Sequence, residues 1–459
     1  MLPGSGRLNR SEEALSATKV WLKNLVKELP APLAQGLAKV PYELKLGRSY
    51  CEAARLVDHS RSWNEKQLEG YLIERLNHIV QFAQSNFPFY RDLYGSKTIT
   101  VATLEDFAAL PIIDKPMARR LAKETSGYMQ VNTGGTSGEP LSLWIDKSSW
   151  AREWAHMHSI WSQRGYKQSS TMLTMLGKDL GTRATKFNAV HNEVLINPYI
   201  PAQTYINELL AVIRERSPRF MQSYPSSAYN FFREVESSGS IELITALKTS
   251  LKTLLLSSEF PLPYMRDYFE KSWGLTCISW YGHSEMCVLA EDINCNNEYT
   301  PLQTYGYVEE SAGKLLGTSM HNFDMPLIRY DTGDCIEGKH HENGVLHQFS
   351  VQEGREGDYI LDEAGRNIPA TALIFGRHHA AFDLAKFVQF YQPMDGELVA
   401  LITGDESAIL TDMELEKLFN FENVDVKFGV EFLQKPLTTA RGKAPLLVSK
   451  LLYESSMGE

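Results

Sequence analysis

The chain has 459 residues, of which 43% are hydrophobic, 22% charged and 11% aromatic, with a formal net charge of −10 at pH 7. At ~150 residues per domain that length predicts about three units and permits a large core. The composition excludes a disordered, collagen-like or coiled-coil chain, and the acidic balance argues against a nucleic-acid or anionic-membrane binder, which needs a basic surface. The five cysteines (Cys51, Cys277, Cys287, Cys295, Cys335) are too few, and odd in number, for a disulfide framework and fit a reducing cytoplasm. The opening MLPGSGRLNRSEEALSA lacks the apolar core of a signal peptide, and no stretch approaches the ~18 apolar residues of a membrane span.

Residues 1–95 read as a helical extension packed on the main body. SEEALSATKVWLKNLVKEL carries apolar residues at helical spacing until Pro30 and Pro32 stop it, and its mixed charge favours packing on protein over a membrane. A second helix starts near SWNEKQ, where Ser62 and Glu65 have capping-box spacing, and Leu68, Leu72, Leu76 and Ile79 form its apolar stripe. Residues 96–354 alternate strand-like runs with helical runs. The strands are MLTMLG (172–177), RFMQSYP (219–225), KTLLLSS (252–258) and TCISWYG (276–282). The alternation predicts α/β architecture with a largely parallel sheet and a site at the carboxyl ends of its strands. Residues 355–459 read as a small α+β domain: a hairpin in GDYILDEAGRNIPATAL, strands in GELVALITG and DVKFGVEFL, and a helix, TDMELEKLFNF, capped by Thr411 and Glu414.

The glycine-rich stretch VNTGGTSGEPLSLWID holds Thr133, Gly134, Gly135, Thr136, Ser137 and Gly138. Glycines turn the backbone so that N–H groups face inward, and hydroxyls add donors, a combination suited to polyphosphate. It matches neither GxxxxGK[ST] nor GxGxxG, and taken alone it is equally a surface connection. Further on come YGHSE (281–285), MPLIRYDTGD (325–334), GREGDY (354–359) and LTTARGK (437–443).

In this order and spacing these segments resemble the motifs of the adenylate-forming enzymes: acyl-CoA synthetases, luciferases and nonribosomal adenylation domains. The loop resembles TSGTTGKP, YGHSE resembles YGxTE, RYDTGD resembles YRTGD, GREGDY resembles the GRxDD hinge, and TTARGK resembles PxTxxGK. FPFYRDLY (87–94), LPIIDK (110–115) and MPLIRYDTGD resemble the phenylacetate–CoA ligase branch. YGHSEMCVLAED, QTYGYVEE and GDYILDEAGRNIPATALIFGRHHAAF resemble members of that branch encoded with capsular and other surface polysaccharides.

The resemblance implies a large domain of mixed sheets and helices, a small mobile C-terminal domain, and a two-step reaction. A carboxylate attacks the α-phosphorus of ATP, giving acyl-AMP and pyrophosphate. A thiol or amine then displaces AMP. It further implies that Thr133 to Gly138 cradle the β- and γ-phosphates, with Thr136 near the α-phosphate. Ser258 and Glu259 lie beside the adenine, Tyr281 stacks on it, Glu285 holds Mg²⁺, and Asp334 binds the ribose hydroxyls. Arg355 reaches the ribose or the hinge, and Lys443 neutralises the reacting oxygens. The implied partners are a small carboxylic acid and coenzyme A, or instead an amine on a sugar or amino acid, and a homodimer is compatible with the branch. Tyr224, Ser226, Ser279 and Trp280 are the acyl-pocket candidates, with Trp154 and His158 from the preceding helix.

The chain departs from the motifs in places. Glu139 replaces the loop lysine, Gly134 a hydroxyl residue and Gly357 the hinge acid, and GKAPLL lacks the following basic residue. Glu139 and Gly357 are the sequence support for a non-catalytic nucleotide binder as the second class of function. His283, Cys287 and Cys295 have no standard zinc spacing and read as buried structural groups. His340, His341, His378 and His379 read as solvated.

Overall fold

The computed structural model describes residues 36–132, 141–176, 180–198, 200–257, 260–261, 263–353, 359–363, 365, 367–369, 387–403, 419, 426–438, 444–445 and 447–457. The predicted helix in 11–29 lies outside the described residues, as does that in 411–421 apart from Phe419. Helices α1 (Tyr42–Ser60), α2 (Glu65–Asn86) and α3 (Pro88–Tyr94) open the described chain. The capping box of α2 sits two residues later than its sequence spacing suggested. Asn64 Oδ1 accepts from Gln67 N at 2.9 Å and Gln67 Oε1 accepts from Asn64 N at 3.0 Å. Ser62 Oγ instead donates to the His59 carbonyl at 2.8 Å, bonded back into α1 and so lost to the cap. Leu72, Leu76 and Ile79 are buried as the stripe predicted.

An antiparallel hairpin, β1 (Met129–Asn132) and β2 (Ser142–Ile145), flanks the glycine-rich loop. Helix α4 (Ser149–Ser162) leads into the main sheet. That sheet contains β3 (Met172–Met175), β4 (Thr185–Asn188), β5 (Glu193–Ile196), β6 (Phe220–Ser223), β7 (Thr253–Ser257), β8 (Thr276–Gly282), β9 (Leu289–Asp292) and β10 (Thr300–Pro301). Their order is β10-β9-β8-β7-β6-β3-β5-β4. Strands β5, β3, β6, β7 and β8 run parallel, as the alternation predicted. Their crossovers include α5 (Ile206–Arg216), α6 (Pro225–Ser237) and α7 (Ile241–Ser250). Every residue of β3 and of β7 is buried, as expected of parallel strands covered on both faces.

A second sheet, whose strands the pattern of runs did not pick out, is the antiparallel meander β11 (Tyr307–Ser311), β12 (Lys314–Thr318), β13 (Tyr330–His340) and β14 (Leu346–Glu353). Its first turn is Ala312–Gly313, both left-handed at φ 52° and 78°, the geometry of a two-residue hairpin. Side chains of α2 and α3 share one core with this sheet, including Leu72, Leu76, Phe89, Tyr90, Val308, Leu315 and Phe349. A Cβ on Gly306 would lie 2.1 Å from the Cys287 carbonyl oxygen, and one on Gly317 would lie 2.8 Å from Cys287 Sγ. Only glycine lets the meander lie this close to the segment after β8. The predicted hairpin near 359–369 is present as β15 (Tyr359–Leu361) and β16 (Asn367–Pro369). The two predicted strands after it are β18 (Glu397–Thr403) and β19 (Lys427–Leu433). They join β17 (Phe387–Tyr391) and β20 (Leu447–Val448) in a four-stranded sheet ordered β19-β18-β17-β20.

Candidate active site

The parallel strands end along one edge. Their register aligns Met175 with Ser223, Ser223 with Leu256, and Leu256 with Ser279, so the chain leaves β3, β6, β7 and β8 side by side. Loops at such carboxyl ends form the ligand crevice of open α/β sheets. Tyr224 leaves β6 there, half-buried, as the N-cap residue of α6, and Ser226 follows in the first turn of that helix. Tyr281 is the penultimate residue of β8 and Glu285 lies just beyond its end.

Tyr281 faces the meander. Its ring lies 5.7 Å from Phe349 and 6.1 Å from Tyr299, both edge-on, and its hydroxyl donates to Asp334 Oδ2 on β13. Asp334 is only 6% exposed. Its backbone is set by a tight turn: Gly333, at φ 80°, donates its N–H to Asp331 at 2.9 Å, and Asp334 N donates to Thr332 Oγ1 at 3.2 Å. The preceding segment is clamped by the buried Arg329, whose guanidinium donates to Glu309 at 2.8 Å and to the carbonyls of Ala108 and Leu110. Tyr281 and Asp334, 53 residues apart in sequence, therefore form one unit across two sheets. A carboxylate has about four lone-pair sites, so it can accept from this tyrosine and from a vicinal diol together.

Glu285 lies at the junction of the two sheets. His283 Nδ1 is 2.8 Å from its Oε2, and Tyr330 on β13 donates to its Oε1 at 3.2 Å. Cys287 Sγ lies 3.7 Å from His283 Nε2. Burial alone would lower the His283 pKa, but the Cys287 sulfur and the Glu285 carboxylate outweigh it and push it up to about 10. Burial raises the Cys287 thiol, opposed by His283. Cys295 does not join this group. It packs in the core that flanks the main sheet, bonded to Ser279 and close to Asp292, and burial pushes its pKa up to about 12. Among the described residues no group of three or more His, Cys, Asp or Glu side chains is arranged to hold a metal. One buried carboxylate suits Mg²⁺, which keeps several waters and is bound through one or two carboxylates plus substrate phosphates.

Strand alternation separates two of the acyl-pocket candidates. Ser279 is buried and donates to Asp292 Oδ2 at 3.3 Å, whereas Trp280 points to the opposite face and packs 6.0 Å from Trp161 on α4. Trp154 and His158 lie among groups at the amino ends of β3 and β5: Trp154 stacks on His191 at 4.4 Å, and His158 Nδ1 bonds Tyr50 at 2.8 Å. The Gly-rich loop (Thr133 to Gly138), Ser258, Glu259, Arg355, Gly357 and Lys443 lie outside the described residues. The hairpin that carries the loop is pinned on both sides. Tyr128 N donates to Asp324 at 2.7 Å, and Asn322 donates to the Trp144 carbonyl at 2.8 Å. His340 and His341 pair with Glu310 and Glu65. Tyr330, inside RYDTGD, and His283, inside YGHSE, contact Glu285; the motifs contained both residues, but spacing alone carried no sign of those contacts.

No family model matches the chain, and no curated protein matches it in sequence. Its fold is shared with solved ligase structures, and the correspondence covers most of the chain. Solved structures sharing it include a 2-hydroxyisobutyryl-CoA ligase in the postadenylation state in complex with R3-HIB-AMP. That enzyme is 16% identical, with a TM-score of 0.55 over 86% of this chain and 93% of its own. An acyl acid amido synthetase in complex with 2,4-DB is 11% identical, with a TM-score of 0.55 over 89% of this chain and 96% of its own. Among the described residues no helix is long and apolar enough to cross a membrane.

Proposed function

We propose that the chain is an ATP-dependent ligase that activates a carboxylic acid as an acyl-adenylate and transfers the acyl group to coenzyme A. The observation that carries this reading is the Tyr281–Asp334 unit at the carboxyl edge of the parallel strands, in a fold shared with enzymes that handle acyl-AMP. Tyr281 offers a ring face to adenine and Asp334 accepts from the ribose hydroxyls. The Thr133–Gly138 loop takes the outer phosphates, with Thr136 also at the α-phosphate. Ser258 and Glu259 flank the base and Arg355 reaches the ribose. Bound at Glu285, Mg²⁺ supplies charge neutralisation on the phosphates.

In the first step a substrate carboxylate oxygen bonds to the α-phosphorus. The bond from that phosphorus to the bridging oxygen breaks, and pyrophosphate leaves with the electron pair. Lys443 places its ammonium on the oxygens where negative charge gathers. In the second step the acceptor attacks the acyl carbon, AMP leaves with the C–O electron pair, and the acceptor's proton passes to solvent. The small C-terminal domain (355–459) brings Lys443 for the first step and withdraws it for the second. Tyr224 and Ser226 border the acyl pocket.

A second reading replaces the thiol by an amine on a sugar or amino acid. It is favoured by the amido synthetase, which matches at the same TM-score as the CoA ligase. The phenylacetate–CoA ligase-like motifs support an aryl or small acid, and the segments resembling capsule-associated members support a place in surface polysaccharide assembly in the cytoplasm. Acid-dependent pyrophosphate release over a panel of aryl and short-chain acids tests adenylation. Product mass spectrometry with coenzyme A or an amino sugar present separates the two acceptors. Tight ATP binding with no AMP formed from any acid supports the non-catalytic reading instead.

A further inference from the structure

The turn after β8 folds the HSEMC segment back on itself. The His283 side chain is 3% exposed and that of Glu285 10%. Each Glu285 oxygen takes a hydrogen bond from a different element: Oε2 from His283 Nδ1 at 2.8 Å and Oε1 from the Tyr330 hydroxyl of β13 at 3.2 Å. The imidazole is itself held, with Nε2 3.7 Å from Cys287 Sγ. The backbone beneath is fixed by Met286 at φ 53° and by the close approach of Gly306 and Gly317 to Cys287.

We propose that His283 is a positioning residue that locks the Glu285 carboxylate in the orientation that meets the divalent cation of MgATP. The inference rests on the role given to Glu285 above. A glutamate has three rotatable bonds. Two donors on opposite oxygens, from separate elements, leave it one orientation and keep it from turning toward Cys287 or solvent. Outer partners of this kind commonly govern metal affinity through the ligand they hold. The competing account is that His283 only fills space beside Cys287.

The test compares ATP affinity with and without MgCl₂ by calorimetry, so that the readout is the Mg²⁺-dependent gain in binding. Glu285→Gln should abolish the gain. In His283→Asn the amide nitrogen stands near the position of Nδ1, so the gain should stay within about 2-fold of the parent. In His283→Gln the amide reaches toward Nε2 instead, and the gain should fall about 10-fold. A full gain in His283→Gln, or equal losses in both variants in step with a fall in Tm, overturns the proposal. If neither histidine variant folds, Tyr330→Phe removes the second donor with the ring intact, and an unchanged gain there overturns it equally. A full gain in Glu285→Gln instead removes the metal role of Glu285 itself, which is a failure of the functional reading and is seen separately.

Discussion

The two ends of the parallel sheet use polar side chains in opposite ways. At the carboxyl ends, bonds cross between the two sheets: Tyr281 donates to Asp334, and Tyr330 donates to Glu285. At the amino ends of β3 and β5, polar groups close on one another beneath α1. Tyr42 bonds His191 at 2.9 Å, Tyr50 bonds His158 at 2.8 Å, Gln168 bonds Tyr50 at 2.8 Å, and Thr174 and Asn188 both bond Glu193. In the proposed function the first end receives a charged ligand, whereas the second uses paired groups to seat one face of α1. Variants at the first should therefore alter binding and rate, and variants at the second only stability.

The sharpest break in that contrast is expected from Lys443→Ala. Removing one charge-stabilising donor typically costs about 10²–10³ in rate, so acid-dependent pyrophosphate release should fall by that factor while calorimetric ATP affinity stays near the parental value. Parental adenylation by this variant would remove the C-terminal domain from the chemistry. Asp334→Ala comes next. Hydrogen bonds to a charged group are worth about 1.5–3 kcal/mol, so the KM for ATP should rise roughly 10–100-fold. Tyr281→Phe, which removes the donor to Asp334 and keeps the ring, should give only a small part of that loss.

The amino end should declare itself in acid. Burial lowers His191 to about 4 and His158 to about 3, assisted by positive charge from Lys45 on both and from His191 on His158. Between the unfolded value near 6.5 and about 4, the unfolded chain binds protons that these folded histidines refuse. Their contribution to stability is complete above pH 6.5 and declines as pH falls, at about 1.4 kcal/mol per pH unit for each histidine. Thermal melts between pH 7 and 4 should show Tm dropping steeply. His158→Gln, which takes up no proton, should flatten that slope, and an unchanged slope would mean that the amino-end histidines are not its source.

The parallel sheet was readable in the sequence because fully buried strands leave unbroken apolar runs, as in TLLLS of β7. The meander was not, although Ala312–Gly313 and Asn343–Gly344 mark its hairpins, because β13 mixes Tyr330, Thr332, Asp334 and Ile336 in no clean two-residue alternation of polarity. The residues proposed to face the nucleotide were legible as motifs. Their mutual contacts were not, since Tyr281 and Asp334 meet only when two sheets are docked. The relative placement of the pocket candidates was hidden for the same reason. Ser279 and Trp280 are neighbours in sequence, and the pleat sends them to opposite faces. Trp154 and His158 face the amino end because α4 runs from the hairpin toward the start of β3.

The smallest expected effect is also the cleanest separation of the two ends. Tyr42 is 1% exposed, its hydroxyl bonds His191, and Lys45 Nζ lies 4.8 Å from its ring centre. Tyr42→Phe keeps the ring, its packing against Trp154 and the cation contact, and removes only the hydroxyl. Loss of a buried hydrogen bond that strands its partner costs about 1–3 kcal/mol. The stacking of Trp154 on His191 persists, which places the expected loss near the lower figure. The urea midpoint should fall accordingly with the slope of the transition unchanged. The KM for ATP and the pyrophosphate release rate should match the parent, because no bond of Tyr42 reaches the carboxyl edge. A parallel loss of ATP affinity would show the two ends to be coupled through α4, whose Glu153, bonded to Tyr305 and electrostatically close to His283, is the connection such a result would expose.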